Sequence, residues 1–157
     1  LEGVAEVLAR ANAQGTPVVV VTNQAGVGLG LYDEAAVHAV HARIAELVSP
    51  ARVDGWFHCP HVPEDRCACR KPAPGLLRAA AAALDLDLGR SLLVGDKRSD
   101  LEAARAVGAR AVLVRTGHGA EEAAALEAAA ATHLFDRSLD SLRDAWPTLA
   151  ALLGGAS

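Results

Sequence analysis

No methionine occurs in this chain, and aromatic side chains are scarce, at 3% of residues. With so few large rings the core has to be built from Ala, Val and Leu, which suits helices packed on a sheet of Val-rich strands. Cationic residues number 15 against 19 anionic, a net charge of −4, and there is no Lys/Arg-dense block. That balance argues against a nucleic-acid binder or a protein held on an anionic membrane surface. No apolar run approaches the ~20 residues that a bilayer-spanning helix needs. The N-terminal residues lack the basic region, apolar stretch and cleavage site of a secretory leader, so a cytoplasmic location is expected. Leu1, in a chain without methionine, is not expected to be the native translation start. Small-molecule partners and a monomer are the remaining expectations, with 157 residues making one domain's worth of chain.

Cysteine is also scarce, but its three copies are gathered: Cys59-Pro60-His61 is followed by Cys67-Ala68-Cys69. Three cysteines cannot all pair with one another, and a reducing compartment favours metal use of thiols. Zinc prefers thiolate sulfur and imidazole nitrogen in a closed tetrahedron when its role is structural, and Cys59, His61, Cys67 and Cys69 supply four such ligands. No position remains open for a catalytic water, so the metal is expected to staple the loop 58–72. Arg70 and Lys71 follow directly, a fork and a point charge suited to phosphoryl or sugar oxygens.

Along the chain, residues 2–14 carry apolar positions at helical spacing that end at Gly15. The β-branched run 16–22 reads as a strand buried on both faces, as in a parallel sheet. Asp33 stands as an N-cap before a helix to about Val48. Strands are expected at Gly55–His58, Ser91–Gly95, Ala111–Val114 and Thr132–Phe135. Helices are expected at 75–86, 100–107, 121–131 and 139–153. Alternating helix and strand predicts an α/β fold, a Rossmann-like parallel sheet with helices on both faces.

Ligands of such sheets bind at the carboxyl ends of the strands, where three polar clusters fall. Thr22-Asn23-Gln24 leads a glycine-containing loop suited to a phosphate oxygen. Arg70-Lys71 is the second cluster. Val94-Gly95-Asp96-Lys97 is the third, offering a carboxylate for Mg²⁺ and an amine for an anion. Asp100 reads as an N-cap or turn residue. His118 stands at a strand end where it would line a cleft, whereas His38 and His41, three apart on a helix, read as solvated.

In the order TNQxG, CPHx5CxCRKP and VGDKxxD, these clusters resemble the histidinol-phosphatase-like branch of the haloacid dehalogenase superfamily, above all its heptose bisphosphate phosphatases. The resemblance runs over nearly the whole chain. It implies that Thr22 and Lys71 stabilise a transferring phosphoryl group, that Asn23, Gln24, Arg70 and Lys97 contact substrate, and that Asp96 ligates Mg²⁺. It also implies Cys59, His61, Cys67 and Cys69 as zinc ligands. The activity implied is hydrolysis of a phosphorylated sugar, D-glycero-D-manno-heptose 1,7-bisphosphate at its 7-phosphate, with histidinol phosphate as the alternative substrate. A non-catalytic phosphate-ligand binder is the alternative of another class.

The family's Asp-x-Asp nucleophile strand has no counterpart here, because the one such pair, Asp85-Leu86-Asp87, lies between a helix and a strand and reads as a turn. Residues 1–157 are therefore expected to form one haloacid-dehalogenase-like domain lacking its central first strand, inactive alone. Without that strand the ones ending at Thr22 and Asp96 would carry unpaired edges.

Overall fold

A computed structural model describes residues 3–143 and 145–154. Leu1, Glu2, Asp144 and residues 155–157 lie outside the described residues, and with them parts of the expected helices 2–14 and 139–153. The helices are α1 (Val4–Ala13), α2 (Ala25–Gly28), α3 (Glu34–Val48), α4 (Gly75–Leu84), α5 (Arg98–Arg105), α6 (Gly119–Ala128) and α7 (Trp146–Gly154). The strands are β1 (Val19–Asn23), β2 (Gly55–Cys59), β3 (Leu92–Gly95), β4 (Arg110–Val114) and β5 (Arg137–Leu139). Asp33 caps α3 by accepting the Ala36 N–H at 2.9 Å, and α7 holds Pro147 in its first turn, where a missing N–H costs nothing.

All strand pairs are parallel, in two sheets ordered β1-β2 and β3-β4-β5. Side chains alternate across a sheet. Ala111 and Leu113 of β4 therefore join Leu101, Ala103 and Ala104 of α5 and Leu126 of α6 on one face. Val112, between them, packs on the other face with Val7 of α1 and Leu149 of α7. Helices thus cover both faces of this sheet. Ala103, Ala104 and Ala111 have no exposed surface, and their small side chains let α5 approach β4 closely.

The two sheets have free edges at β1 and β3. Successive residues of a strand direct their N–H and C=O groups to opposite sides. Gln24 N–H donates to Cys59 and Asp54 N–H to Val18 C=O, so the even-numbered residues face β2. Val19, Val21 and Asn23 then face away from it. By the same count Arg110 N–H donates to Ser91 C=O, which leaves Leu92 and Val94 on the free edge of β3. Val21 nevertheless packs against the core that contains Leu93, so one apolar layer spans both sheets.

Two expectations need correction. Thr132–Leu134 is a single 3-10 turn, and the last strand is Arg137–Leu139. Leu134 is buried and Phe135 packs on the core without strand pairing, so apolar burial was satisfied by a turn. The expected helix from 139 begins only at Trp146, because Leu139 pairs with Val114.

Candidate active site

The site grows from the ends of β1 and β3 and from the loop that follows β2. Thr22, Asn23, Arg70, Lys71, Asp96, Lys97, Ser99, Asp100 and His118 line one polar cavity of about 510 Å³. Six of the sequence candidates, Thr22, Asn23, Arg70, Lys71, Asp96 and Lys97, meet there with His118, despite separations of up to 75 residues between Thr22 and Lys97.

Lys71 is the centre of the arrangement. Its Nζ lies 2.6 Å from Asp100 Oδ1 and donates to the free-edge carbonyl of Val21 at 2.8 Å. Both side chains of the ion pair are nearly buried, at 10% and 9% exposure, so water screens the pair weakly. Asn23 fixes the backbone of the same residue: its Oδ1 accepts the Lys71 N–H and its Nδ2 donates to the Lys71 carbonyl, both at 3.0 Å. The amide thus copies a strand pairing between the end of β1 and the Arg70-Lys71 loop.

Asp96 is held by backbone. Its Oδ2 accepts the His118 N–H at 3.0 Å, and Gly117, at φ 64, passes so close that a Cβ there would lie 2.4 Å from the same oxygen. Only glycine combines that left-handed conformation with that approach. The loop Thr116–Gly119 therefore sets the orientation of the carboxylate, with the His118 ring at the cavity wall.

Beside the cavity, Cys59, His61, Cys67 and Cys69 place four donor atoms within 4.8 Å of one another. The contacts are Cys59 Sγ to Cys69 Sγ 3.1 Å, Cys67 Sγ to Cys69 Sγ 3.4 Å, and His61 Nδ1 to Cys69 Sγ 3.3 Å. A tetrahedron with metal–sulfur bonds near 2.3 Å has edges of about 3.7 Å, so the donor set fits a metal with a small expansion. Burial pushes the Cys59 thiol up to about 12, helped by its contacts with Cys69 and Cys67. Desolvation acts upward on Cys67 too, but hydrogen bonds from Cys69, the Arg70 backbone and Cys59 outweigh it and lower that thiol to about 7. Crowded thiols thus share protons unequally, and a cation would stabilise all of them as thiolates. The loop also holds Arg70, whose Nη1 donates to the His61 carbonyl at 3.1 Å.

A family model described as HAD-hydrolase-like matches residues 68–145. A D-glycero-beta-D-manno-heptose-1,7-bisphosphate 7-phosphatase of Pseudomonas aeruginosa is 47% identical over 116 residues, which is 73% of this chain and 65% of the relative. That of Pseudomonas putida is 44% identical over 121 residues, 76% of this chain and 69% of the relative. The crystal structure of D,D-heptose 1,7-bisphosphate phosphatase from B. bronchiseptica, complexed with magnesium and phosphate, has a TM-score of 0.84 and 36% identity. That match covers 96% of this chain and 83% of the other. The chain belongs to the haloacid dehalogenase-like hydrolases, in the branch of these heptose bisphosphate phosphatases. It spans about two thirds of the length of the curated Pseudomonas relatives, 65% and 69%.

Within this haloacid dehalogenase-like hydrolase, some residues sit differently from the sequence expectation. Gln24 bridges two side chains: its Nε2 donates to Thr22 Oγ1 at 3.2 Å and its Oε1 accepts from the Tyr32 hydroxyl at 2.8 Å. It steadies Thr22 from outside the cavity lining. The glycines of that loop serve packing, since a Cβ on Gly26 would strike the Tyr32 ring and one on Gly28 the Pro60 carbonyl. Asp100 is more than a cap. Its Oδ2 does accept the Lys97 N–H at 3.2 Å, but its Oδ1 anchors Lys71 inside the cavity. Asp100 is the third residue of α5, four positions after Asp96, and that step was the available signal. Asp85 and Asp87 lie in the turn after α4, as expected: Asp85 ends the helix at φ 52 and Asp87 accepts the Gly89 N–H. His41 corrects the reading of a solvated helix face, because it is 7% exposed.

Proposed function

We propose that this hydrolase removes the 7-phosphate of D-glycero-D-manno-heptose 1,7-bisphosphate, with its site completed by an Asp-x-Asp strand between β1 and β3. The observation that carries the reading is the convergence of Thr22, Lys71, Asp96 and Asp100 in one polar cavity at the carboxyl ends of β1 and β3. The names of the Pseudomonas relatives support the substrate, and the free edges of β1 and β3 support the added strand.

An ammonium carries three N–H donors. Asp100 and the Val21 carbonyl occupy two of those on Lys71, which leaves one for a phosphoryl oxygen. The Thr22 hydroxyl, fixed through Gln24, offers a second donor to the same group. Arg70 and Lys97 stand at the cavity wall for the remainder of a doubly phosphorylated sugar, and Asn23 reaches substrate by setting the position of Lys71. Asp96 is the residue here that would hold Mg²⁺, which supplies charge neutralisation to the phosphoryl group when bound. Cys59, His61, Cys67 and Cys69 would hold Zn²⁺ and keep Arg70 and Lys71 in place. This division of labour suits phosphoryl transfer, where positioning and charge stabilisation provide most of the catalysis. A thiolate metal site and a monomeric, cytoplasmic enzyme acting on a small phosphorylated sugar are mutually consistent.

The test is phosphate release by the protein completed with the Asp-x-Asp strand, with heptose bisphosphate and histidinol phosphate compared by kcat/KM. Preference for the heptose is expected. Preference for histidinol phosphate would overturn the substrate, and binding of either without turnover would move the protein to the non-catalytic class.

A further inference from the structure

On α3, Glu34, His38 and His41 are spaced four and three residues apart, which puts all three on one face of the helix. His58 of β2 meets that face. The three imidazole centroids form a nearly equilateral triangle, at 6.2 Å for His38–His41, 5.8 Å for His38–His58 and 5.9 Å for His41–His58. Trp56 closes one side, stacked on His41 at 4.6 Å and 24°. His41 is 7% exposed, yet neither its Nδ1 nor its Nε2 has a hydrogen-bond partner. A buried polar atom without a partner costs roughly 1–3 kcal/mol, so an imidazole with both nitrogens orphaned points to a missing ligand. Glu34 Oε2 contacts His58 Nε2, which leaves Nδ1 of that ring available.

We propose that His38, His41 and His58 form a second metal site, for a divalent first-row transition ion, with Glu34 orienting His58. The set follows the carboxylate–histidine–metal pattern, in which the carboxylate fixes the ring through the nitrogen that does not bind. Imidazole donors suit Zn²⁺, Ni²⁺ and Cu²⁺ better than Mg²⁺. Nitrogen–metal bonds near 2.0–2.1 Å place imidazole centroids about 5–5.5 Å apart, so the observed triangle has to shrink by less than about 1 Å. The four thiolate-site donors already converge, whereas the three imidazoles need a turn about χ2, a soft torsion for histidine. Burial, with His58 and His38 close by, holds His41 below its ordinary pKa, and the neutral ring is the one that ligates. His38 is exposed and gives the ion a path from solvent. Nothing in this site depends on the phosphatase reading.

Cobalt titration of the full-length protein, with excess Mg²⁺ present to occupy the Asp96 site, separates the two sites. The first equivalent should fill the quartet of three thiolates and His61 and raise sulfur-to-cobalt charge-transfer absorption. A second should bind with ligand-field bands alone. His41→Leu, which keeps the apolar contact with Trp56, and His38→Ala, at an exposed position, should each weaken the second equivalent by about ten-fold or more and leave the first unchanged. Saturation at one equivalent would overturn the site, as would a second equivalent undiminished in His38→Ala, which decides the matter even where His41→Leu does not fold.

Discussion

Replacing Asn23 by Ala separates a clamp on Lys71 from a contact with substrate. The wild-type amide makes two hydrogen bonds of 3.0 Å with the Lys71 backbone, at a half-buried position. Each such bond contributes about 1 kcal/mol net, and truncation also leaves the Lys71 N–H and C=O short of partners, so a loss of about 2–3 kcal/mol is expected. In a domain of this size that lowers Tm by roughly 5–10 °C. The catalytic effect is larger, because the ammonium loses its fixed origin, and a displacement near 1 Å costs about 10²-fold in rate. The completed protein should therefore show kcat reduced about 10²-fold with a smaller change in KM. Asn23→Asp keeps an acceptor for the N–H but sets a carboxylate oxygen against the Lys71 carbonyl, and should fall between wild type and Asn23→Ala in Tm. An unchanged kcat with a raised KM would refute the clamp and return Asn23 to the substrate contacts.

Lys71→Met should cost about 3–5 kcal/mol by leaving Asp100 buried and unpaired, whereas Lys71→Met with Asp100→Leu should regain most of the stability and none of the turnover; thermal melts and phosphate release check the split. Gly117→Ala should weaken Mg²⁺ binding about ten-fold or more by pushing on Asp96, read from the Mg²⁺ dependence of turnover, and an unaltered dependence would detach Asp96 from the metal. The Asp54 carboxylate is held below its usual range, first by the Val18 N–H at 2.8 Å, against its own desolvation and with help from Arg52. Its folded form binds fewer protons than the unfolded chain, so this stabilisation is complete above about pH 4 and lost as pH falls through the folded value. Asp54→Asn should therefore lower stability by about 1 kcal/mol at pH 7 and by less at pH 3, and an equal loss at both, measured by denaturant titration, would refute the linkage. Stripping metal should release about one equivalent of zinc from the quartet and open the loop 59–70 to proteolysis before α5, with equal cleavage rates counting against a brace.

The strands were legible where apolar residues rich in valine run together without helical spacing, at Val18–Val21 and Ala111–Val114. The last strand was not, because Arg137-Ser138-Leu139 offers neither a β-branched run nor alternation, while Thr132–Phe135 offers an apolar pair that a turn could bury equally well. Pro147 carried a readable signal for a late start of α7, since proline belongs in the first turn of a helix. The convergence of Cys59, His61, Cys67 and Cys69 was legible because they are close in sequence and their chemistry is specialised. His41 was misread because three-residue spacing on a helix says nothing about which face β2 covers, and only the position of Trp56 and His58 decides it.

The Lys71 arrangement shows why residue types can be visible when their pairings are not. Asn23 and Asp100 lie 48 and 29 positions from Lys71, and neither separation has a periodicity to read. A nearly buried ion pair contributes little to stability, because desolvation offsets most of the attraction. Its use here follows from direction. Asp100 and the Val21 carbonyl take two N–H groups of a freely rotating ammonium, which leaves the third for the cavity that Lys71 lines with Thr22. A methionine would pack there at less cost, but it would present no charge to a phosphoryl oxygen. The same requirement would give a metal in the cysteine loop its purpose: a cation that must point in one direction needs a backbone that does not move, and the donor quartet ends at Cys69, next to Arg70-Lys71.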